Sequence, residues 1–334
     1  MTIGYFIASS DLGGAEKVVM DLCNAMSKTH QVHFITFLDD SKLSKLNKRV
    51  HIHQIKKFGR ISIFPYLKLV KLINGLSLDI IHTHSVKATV IIYRISRFLS
   101  PLHVATKHNA RKGKIFNRLK YVIAVSEDVK KSIASEREAR VIYNGIEPVH
   151  VSSSHREDTA VRFLAIGRLD PIKGFDRLIE ACAKLSRPFF LDIVGEGSHR
   201  NVLEEKIADL NLQAKVRLLG FKEDIPQRMA DADCVVMSSY SEGFSVVMVE
   251  SLFYARCFIS TKVSGATEIL PEMFLTEQAS LADKLESFMQ KRAVYQKAFG
   301  SLATSLRPSF LLSKIAEDHL RYYEEVLENR GRRR

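Results

Sequence analysis

Residues 161–182 read VRFLAIGRLDPIKGFDRLIEAC. The β-rich apolar run Val161–Gly167 passes through a short loop carrying Arg168 and Lys173, and Gly174 then opens a segment of helical period. A strand that hands over to a helix in this way is one unit of a parallel sheet with crossover helices, so an α/β fold is expected. The alternation continues downstream through Phe189–Gly195, Lys215–Gly220, Asp233–Ser239 and Cys257–Lys262. Upstream it runs through Ile3–Ala8, Val32–Phe37, Asp79–His84, His103–His108, Tyr121–Ser126 and Ala139–Asn144. Between the first two upstream runs, Gly14–Lys28 sets Ala15, Val18, Val19, Leu22, Cys23 and Met26 at helical spacing, and Ser126 reads as an N-cap.

The pattern breaks once, at Gly145–Asp158 (GIEPVHVSSSHRED), which has Gly, Pro, a serine run and no period. The chain therefore divides into a first domain over residues 1–150 and a second over 151–305. A closing helical segment over 306–334 packs back toward the first domain and ends in a basic tail. Its length of 334 residues fits two domains, and 46% hydrophobic residues suffice for two cores. Two doubly wound, Rossmann-like parallel sheets bring their carboxyl ends to one cleft, so ligand-binding residues are expected just after strands.

Composition narrows the function. The four cysteines stand far apart with no CxxC pair, which fits a reducing compartment and gives no zinc spacing. The opening MTIGYFIASSDLGG has no basic leader before its apolar run, and no run reaches the ~18 residues of a membrane span, so a cytoplasmic protein is expected. Net charge is +13, yet Lys42–Ser126 alone holds 18 basic residues against one acid, Asp79. Such a concentrated surplus implies a polyanionic partner.

Three stretches after strands carry chemistry. Gly13 and Gly14, between the first strand and first helix, suit either backbone approach to a phosphate at a helix amino terminus or a tight turn. Arg168 and Lys173 offer a planar fork and a point charge to a diphosphate, where an isolated pair would be read as solvated. Glu242, Gly243, Phe244, Ser245 and Glu250 follow the strand ending near Ser239. Ser245 caps a helix over residues 246–255, and the two carboxylates suit sugar or ribose hydroxyls, against a bland reading as capping and surface pairing. His82 and His84 form an HxH on one strand that two ligands alone do not make into a metal site, and no metal is expected.

Taken together, these landmarks resemble the family-4 retaining glycosyltransferases of the GT-B fold. Glu242 and Glu250 stand as E-x7-E, with SEGF before and G-x-x-E (Gly265, Glu268) after. YNGIE (Tyr143–Glu147), IGRLDPIKGFDRLIEA (Ile166–Ala181), IVGEG (Ile193–Gly197) and VRLLG (Val216–Gly220) follow in the family's order. The resemblance implies a nucleotide-diphosphate sugar donor, a UDP-sugar being the expected one, and no other cofactor. Arg168 and Lys173 would stabilise the departing diphosphate, Glu250 would hold the ribose and Glu242 the donor sugar hydroxyls. Backbone N–H groups of Gly13 and Gly14 would contact the donor phosphate, and His108 matches a family histidine beside the donor sugar. After Glu250, the residues Ser251–Arg256 replace the family's small-residue pattern, and Ser264 stands where a glycine is frequent.

A hydride-transferring dehydrogenase would need GxGxxG after a strand, which is absent. A nucleotide-sugar epimerase of the same fold, or a non-catalytic anionic-membrane or nucleic-acid binding protein, remains as an alternative, but the last leaves Arg168, Lys173, Glu242 and Glu250 without a task. No nucleic-acid motif accompanies the charge, so nucleic acid is not an expected partner. The segment Ile61–Leu76 mixes Lys68 and Lys71 with Leu67, Val70, Leu72, Ile73 and Leu76 in an amphipathic pattern. It leads to the expectation of an enzyme peripheral to the inner face of the cell membrane, bound to its anionic surface and acting on a glycan or glycolipid acceptor of lipid-linked or lipopolysaccharide type.

Overall fold

Strands covered on both faces need apolar residues at consecutive positions, and the central strands of this protein have them. The computed structural model describes residues 1–9, 13–58, 63–110, 113–134, 139–152 and 159–331. They form two compact units, Met1–Glu147 together with Phe310–Arg334, and Pro148–Ser309.

The first unit carries β1 (Thr2–Ile7), β2 (Gln31–Thr36), β3 (Val50–Gln54), β4 (Ile80–His84), β5 (Leu102–Lys107), β6 (Tyr121–Ala124) and β7 (Arg140–Val141). All neighbours are parallel, in the order β3-β2-β1-β4-β5-β6-β7. Its helices are α1 (Gly14–Met26), α2 (Ile63–Gly75), α3 (Val86–Ile95) and α4 (Glu127–Lys131). The Ser126 hydroxyl caps α4 by accepting the Val129 N–H at 3.2 Å.

Sheet order in the second unit is β10-β9-β8-β11-β12-β13, again all parallel. Its strands are β8 (Val161–Ile166), β9 (Phe189–Val194), β10 (Val216–Gly220), β11 (Cys234–Met237), β12 (Phe258–Thr261) and β13 (Leu275–Thr276). The helices are α5 (Phe175–Cys182), α6 (Arg200–Asp209), α7 (Ile225–Asp231), α8 (Val246–Tyr254), α9 (Ala266–Ile269), α10 (Leu281–Gln290) and α11 (Arg292–Leu306).

The chain then re-enters the first unit. Ile146 N–H donates to the Phe310 carbonyl at 3.0 Å, and Leu312 N–H donates to the Ile146 carbonyl at 2.8 Å, which seats the start of α12 (Leu312–Gly331). Along α12, Ile315, Ala316, Tyr322, Tyr323 and Val326 bury into the core that holds Tyr5, Val19, Leu22 and Cys23. Removing this apolar stripe from water is what holds the helix there.

Two strands differ from expectation. The run Ala139–Asn144 pairs only over Arg140–Val141, because β7 is a sheet edge and the chain turns away after two residues. The strand β3 went unread: only Val50 of its five residues is fully buried, so the segment shows no apolar run. In α2 Leu69 and Ile73 are buried with Val70, Leu72 and Leu76 packed beside them, while Leu67 of the same amphipathic segment is 60% exposed. Residues 61–62 of that segment, 153–158 of the expected linker and 332–334 of the expected basic tail lie outside the described residues.

Candidate active site

In a doubly wound sheet, the loops on either side of the reversal in strand order splay apart and leave room for a ligand. In the second unit that reversal lies between β8 and β11. The loop after β8 carries Arg168–Lys173, and the loop after β11 carries Ser238–Ser245. Lys173 Nζ donates to Glu242 Oε1 at 2.6 Å, joining the two loops. Glu242 also accepts the Ser239 hydroxyl at 2.6 Å on the same oxygen. The side chains of Lys173 and Glu242 are only 22% and 13% exposed, so the pair is shielded from water and from salt.

Backbone contacts set this geometry. Tyr240 N–H donates to the Ile172 carbonyl at 2.8 Å, and Ser238 Oγ donates to the Lys173 carbonyl at 2.9 Å. Gly174 lies between, with φ +62, and a Cβ there would sit 2.2 Å from the Ser238 carbonyl oxygen. Only glycine allows both the left-handed turn and this approach. From the far side, Gln278 Nε2 donates to the Ser238 carbonyl at 2.6 Å and Thr261 Oγ1 to that of Ser239 at 2.7 Å. These locking side chains were not singled out in the sequence, since each is an ordinary polar residue distant in the chain.

The remaining sequence-derived residues of this unit are carried by the same two loops and by α8. Arg168 is 74% exposed, with Nε 3.8 Å from Asp170 Oδ2, and so reaches outward from the strand end. Asp170 is itself spent on capping, accepting the Ile172 N–H at 3.1 Å. Ser245 caps α8 by accepting the Met248 N–H at 3.4 Å, and Glu250 lies half-buried on that helix. Gly243 and Phe244 are buried, with the Ser264 hydroxyl donating to the Gly243 carbonyl at 3.2 Å. The serine that replaces the frequent glycine thus ties α9's approach to this loop.

In the first unit, Gly13 and Gly14 are exposed at the amino terminus of α1, where unpaired N–H dipoles favour an anion. His108 follows β5 directly and is half-buried. Its Nε2 lies 3.0 Å from His84 Nδ1. Beside them a buried polar network runs through the sheet: His82 Nδ1 to the Tyr323 hydroxyl at 2.6 Å, His82 Nε2 to the Thr106 hydroxyl at 2.7 Å, and Tyr323 to Tyr5 at 3.2 Å. His319 of α12 packs on His82 at 5.8 Å between ring centroids. Burial pushes His108 and His319 down to about 4, and His82 and His84 well below the usual histidine range, each with further lowering from neighbouring histidines except at His319. All four are neutral near pH 7. The HxH was visible in sequence, and His319 and Tyr323 stand at helical spacing in the closing segment with Ile315, Tyr322 and Val326; that they meet β4 was not, because only the fold brings residues so distant in the chain together. Among the described residues no group of three or more His, Cys, Asp or Glu is arranged to hold a metal ion.

Comparison with known proteins matches this architecture. The family model for glycosyltransferase family 4 matches residues 12–150, and that for glycosyl transferases group 1 matches residues 149–302. The chain is 27% identical to a Campylobacter jejuni N-acetylgalactosamine-N,N'-diacetylbacillosaminyl-diphospho-undecaprenol 4-alpha-N-acetylgalactosaminyltransferase, over 96% of this chain and 98% of that one. A second C. jejuni protein, an alpha-1,4-N-acetyl-D-galactosaminyltransferase acting on a diNAcBac-PP-undecaprenol glycan, is 26% identical over 98% and 99%. Among solved structures, Anabaena Alr3699/HepE in complex with UDP-glucose shares the fold with a TM-score of 0.86 and 22% identity, over 98% of this chain and 100% of that one.

Proposed function

The chain belongs to the family-4 glycosyltransferases, and from that premise we propose that it moves a sugar from a UDP-sugar to a lipid-linked or lipopolysaccharide-type glycan, with retention of anomeric configuration. The observation that carries the reading is the Lys173–Glu242 pair at the β8/β11 reversal, with Arg168 on the same loop. Lys173 and Arg168 place two positive charges where a diphosphate leaves, and Glu242 is a desolvated carboxylate suited to sugar hydroxyls. Glu250 takes the ribose hydroxyls. Gly13 and Gly14 offer backbone N–H groups to a donor phosphate, and His108 hydrogen-bonds close to the reacting carbon. With two cations and backbone donors against the leaving charge, the reaction runs without a divalent metal.

The acceptor class is supported by the full-length likeness to the two Campylobacter enzymes, whose names specify undecaprenol-linked glycans. An anionic membrane surface as partner is supported by α2. Ile63, Phe64 and Leu67 are 71%, 79% and 60% exposed, and exposed Lys68 and Lys71 follow them. Apolar side chains at the interface level with cations behind them fit an anionic leaflet, each cation adding about 1 kcal/mol.

The direct test is donor hydrolysis with a panel of UDP-, GDP- and ADP-sugars in excess chelator, followed by NMR of the anomeric centre with an undecaprenol-linked acceptor. Turnover of a UDP-sugar with retained configuration is expected. An inverted product, a strict metal requirement or no turnover of any nucleotide sugar overturns the corresponding part.

A further inference from the structure

The HxH of β4 has one member that the reading above leaves without a task. His84 is 1% exposed, and its Nδ1 meets His108 Nε2 at 3.0 Å. Its other nitrogen, Nε2, is buried and has no hydrogen-bond partner among the described residues. The histidine beside it on the same strand, His82, has partners for both nitrogens. Against His84 and His108 lies a cavity of about 10 Å³, with Thr106, Asn144 and His319 among its walls, no larger than a single water.

Two neutral imidazoles in one hydrogen bond share one proton, and the structure decides which ring gives it. If His108 donated from Nε2, the proton of His84 would have to sit on its Nε2, as a buried N–H with no acceptor among the described residues. If His84 donates from Nδ1, its Nε2 is a bare lone pair. A buried donor left unpaired costs about 1–3 kcal/mol, and orphaned N–H groups are rarer than unfilled acceptors. The second arrangement therefore wins. His108 then accepts at Nε2, and its own proton is displaced to Nδ1.

We infer that His84 is a positioning residue that holds His108 as its Nδ1–H tautomer, so that His108 offers its ligand a hydrogen-bond donor and has no basic nitrogen left to take a proton. This rests on the reading that His108 meets the donor sugar. There an N–H at Nδ1 fits a sugar oxygen, and deprotonation of the incoming acceptor hydroxyl falls to some other group. On the same strand, His82 is held at both ring nitrogens by the Tyr323 and Thr106 hydroxyls.

Long-range ¹H–¹⁵N spectra of the ¹⁵N-histidine-labelled protein at pH 7, with His108 assigned by its loss in His108→Gln, read the tautomer directly. A pyrrole-type Nδ1 and pyridine-type Nε2 at His108 are expected, the reverse of the tautomer that predominates in free histidine. In His84→Leu the His108 signals shift toward the free pattern, and kcat falls by roughly 10- to 100-fold with little change in donor KM, the range in which partners that orient a functional histidine act. In His84→Asn, whose amide lies near the former Nδ1 and can donate, both are largely restored. A pyridine-type Nδ1 in the wild type, or a His108 tautomer unmoved by His84→Leu, overturns the assignment; if His84→Leu does not fold, the wild-type spectrum decides. Full turnover in His108→Ala would instead remove His108 from the reaction while leaving its tautomer as found.

Discussion

Lys173 Nζ donates to Glu242 Oε1 across 2.6 Å, and in doing so ties the loop after β8 to the loop after β11 at the point where the strand order reverses. Because both side chains are largely shielded, removing one strands the other. Lys173→Ala leaves a carboxylate held by the Ser239 hydroxyl without its cation and is expected to cost about 1–3 kcal/mol in urea denaturation. Glu242→Gln keeps an acceptor for both donors and should cost less. Equal stability of Lys173→Ala and wild type would show that the pair is not held in solution.

On turnover, Lys173→Ala and Arg168→Ala should each lose on the order of a hundredfold, by analogy with deleting one donor to a developing anion. Arg168 is exposed, so its substitution should leave the unfolding midpoint unchanged while kcat drops. Near-normal rates in both variants would remove the diphosphate from this loop.

Gly174→Ala tests the turn that aims Lys173. The new Cβ would clash with the Ser238 carbonyl, and the left-handed φ adds strain, together about 1–3 kcal/mol or more. The loop has to shift to relieve it, so donor KM should rise along with the loss of thermal stability. A variant with wild-type melting and KM would contradict the geometry.

The α2 patch is tested by flotation with vesicles. Wild type should float with anionic vesicles, less so at high salt, and not with neutral ones. Phe64→Glu with Leu67→Glu should abolish flotation without changing turnover of a short, water-soluble acceptor, since both side chains are exposed and away from the core. Wild type that stays in the soluble fraction at low salt would refute the membrane surface.

Buried histidines make the fold acid-sensitive. Burial pushes His103 down to about 3, and His33, His108 and His319 to about 4. The unfolded chain titrates them near their ordinary value of about 6.5. Between these limits the unfolded state binds more protons, so stability is fully present above about pH 6.5 and is lost as pH falls toward 4. Each such histidine steepens that loss by up to about 1.4 kcal/mol per pH unit. Urea midpoints from pH 7.5 to 4.5 check this; a midpoint independent of pH over that range would mean that these rings take up protons without unfolding.

What could be read in advance follows from where burial is uniform. The runs at β1, β8 and β11 are almost continuously apolar because both faces are covered, and that signal survives in one dimension. The β3 strand, VHIHQ, lies at a sheet edge with most side chains exposed, so it carried no such mark. The pattern at α2 marked the helix but not its inward face: it holds more apolar residues than that face takes, and periodicity cannot say which of them the core takes.

The sequence by itself determined the alternation of strand and helix, the break near residue 150, and the placing of Arg168, Lys173, Glu242 and Glu250 after strands, because these depend on local composition and short spacing. Only the tertiary structure decided that Lys173 closes on Glu242, that Ser238, Thr261 and Gln278 lock their loops, and that Tyr323 and His319 of α12 reach the histidines of β4. Those partners lie tens to hundreds of residues apart. Their meeting is set by sheet order and by where the apolar stripe of α12 is buried; the stripe shows in the sequence as a helical spacing, but its partner does not.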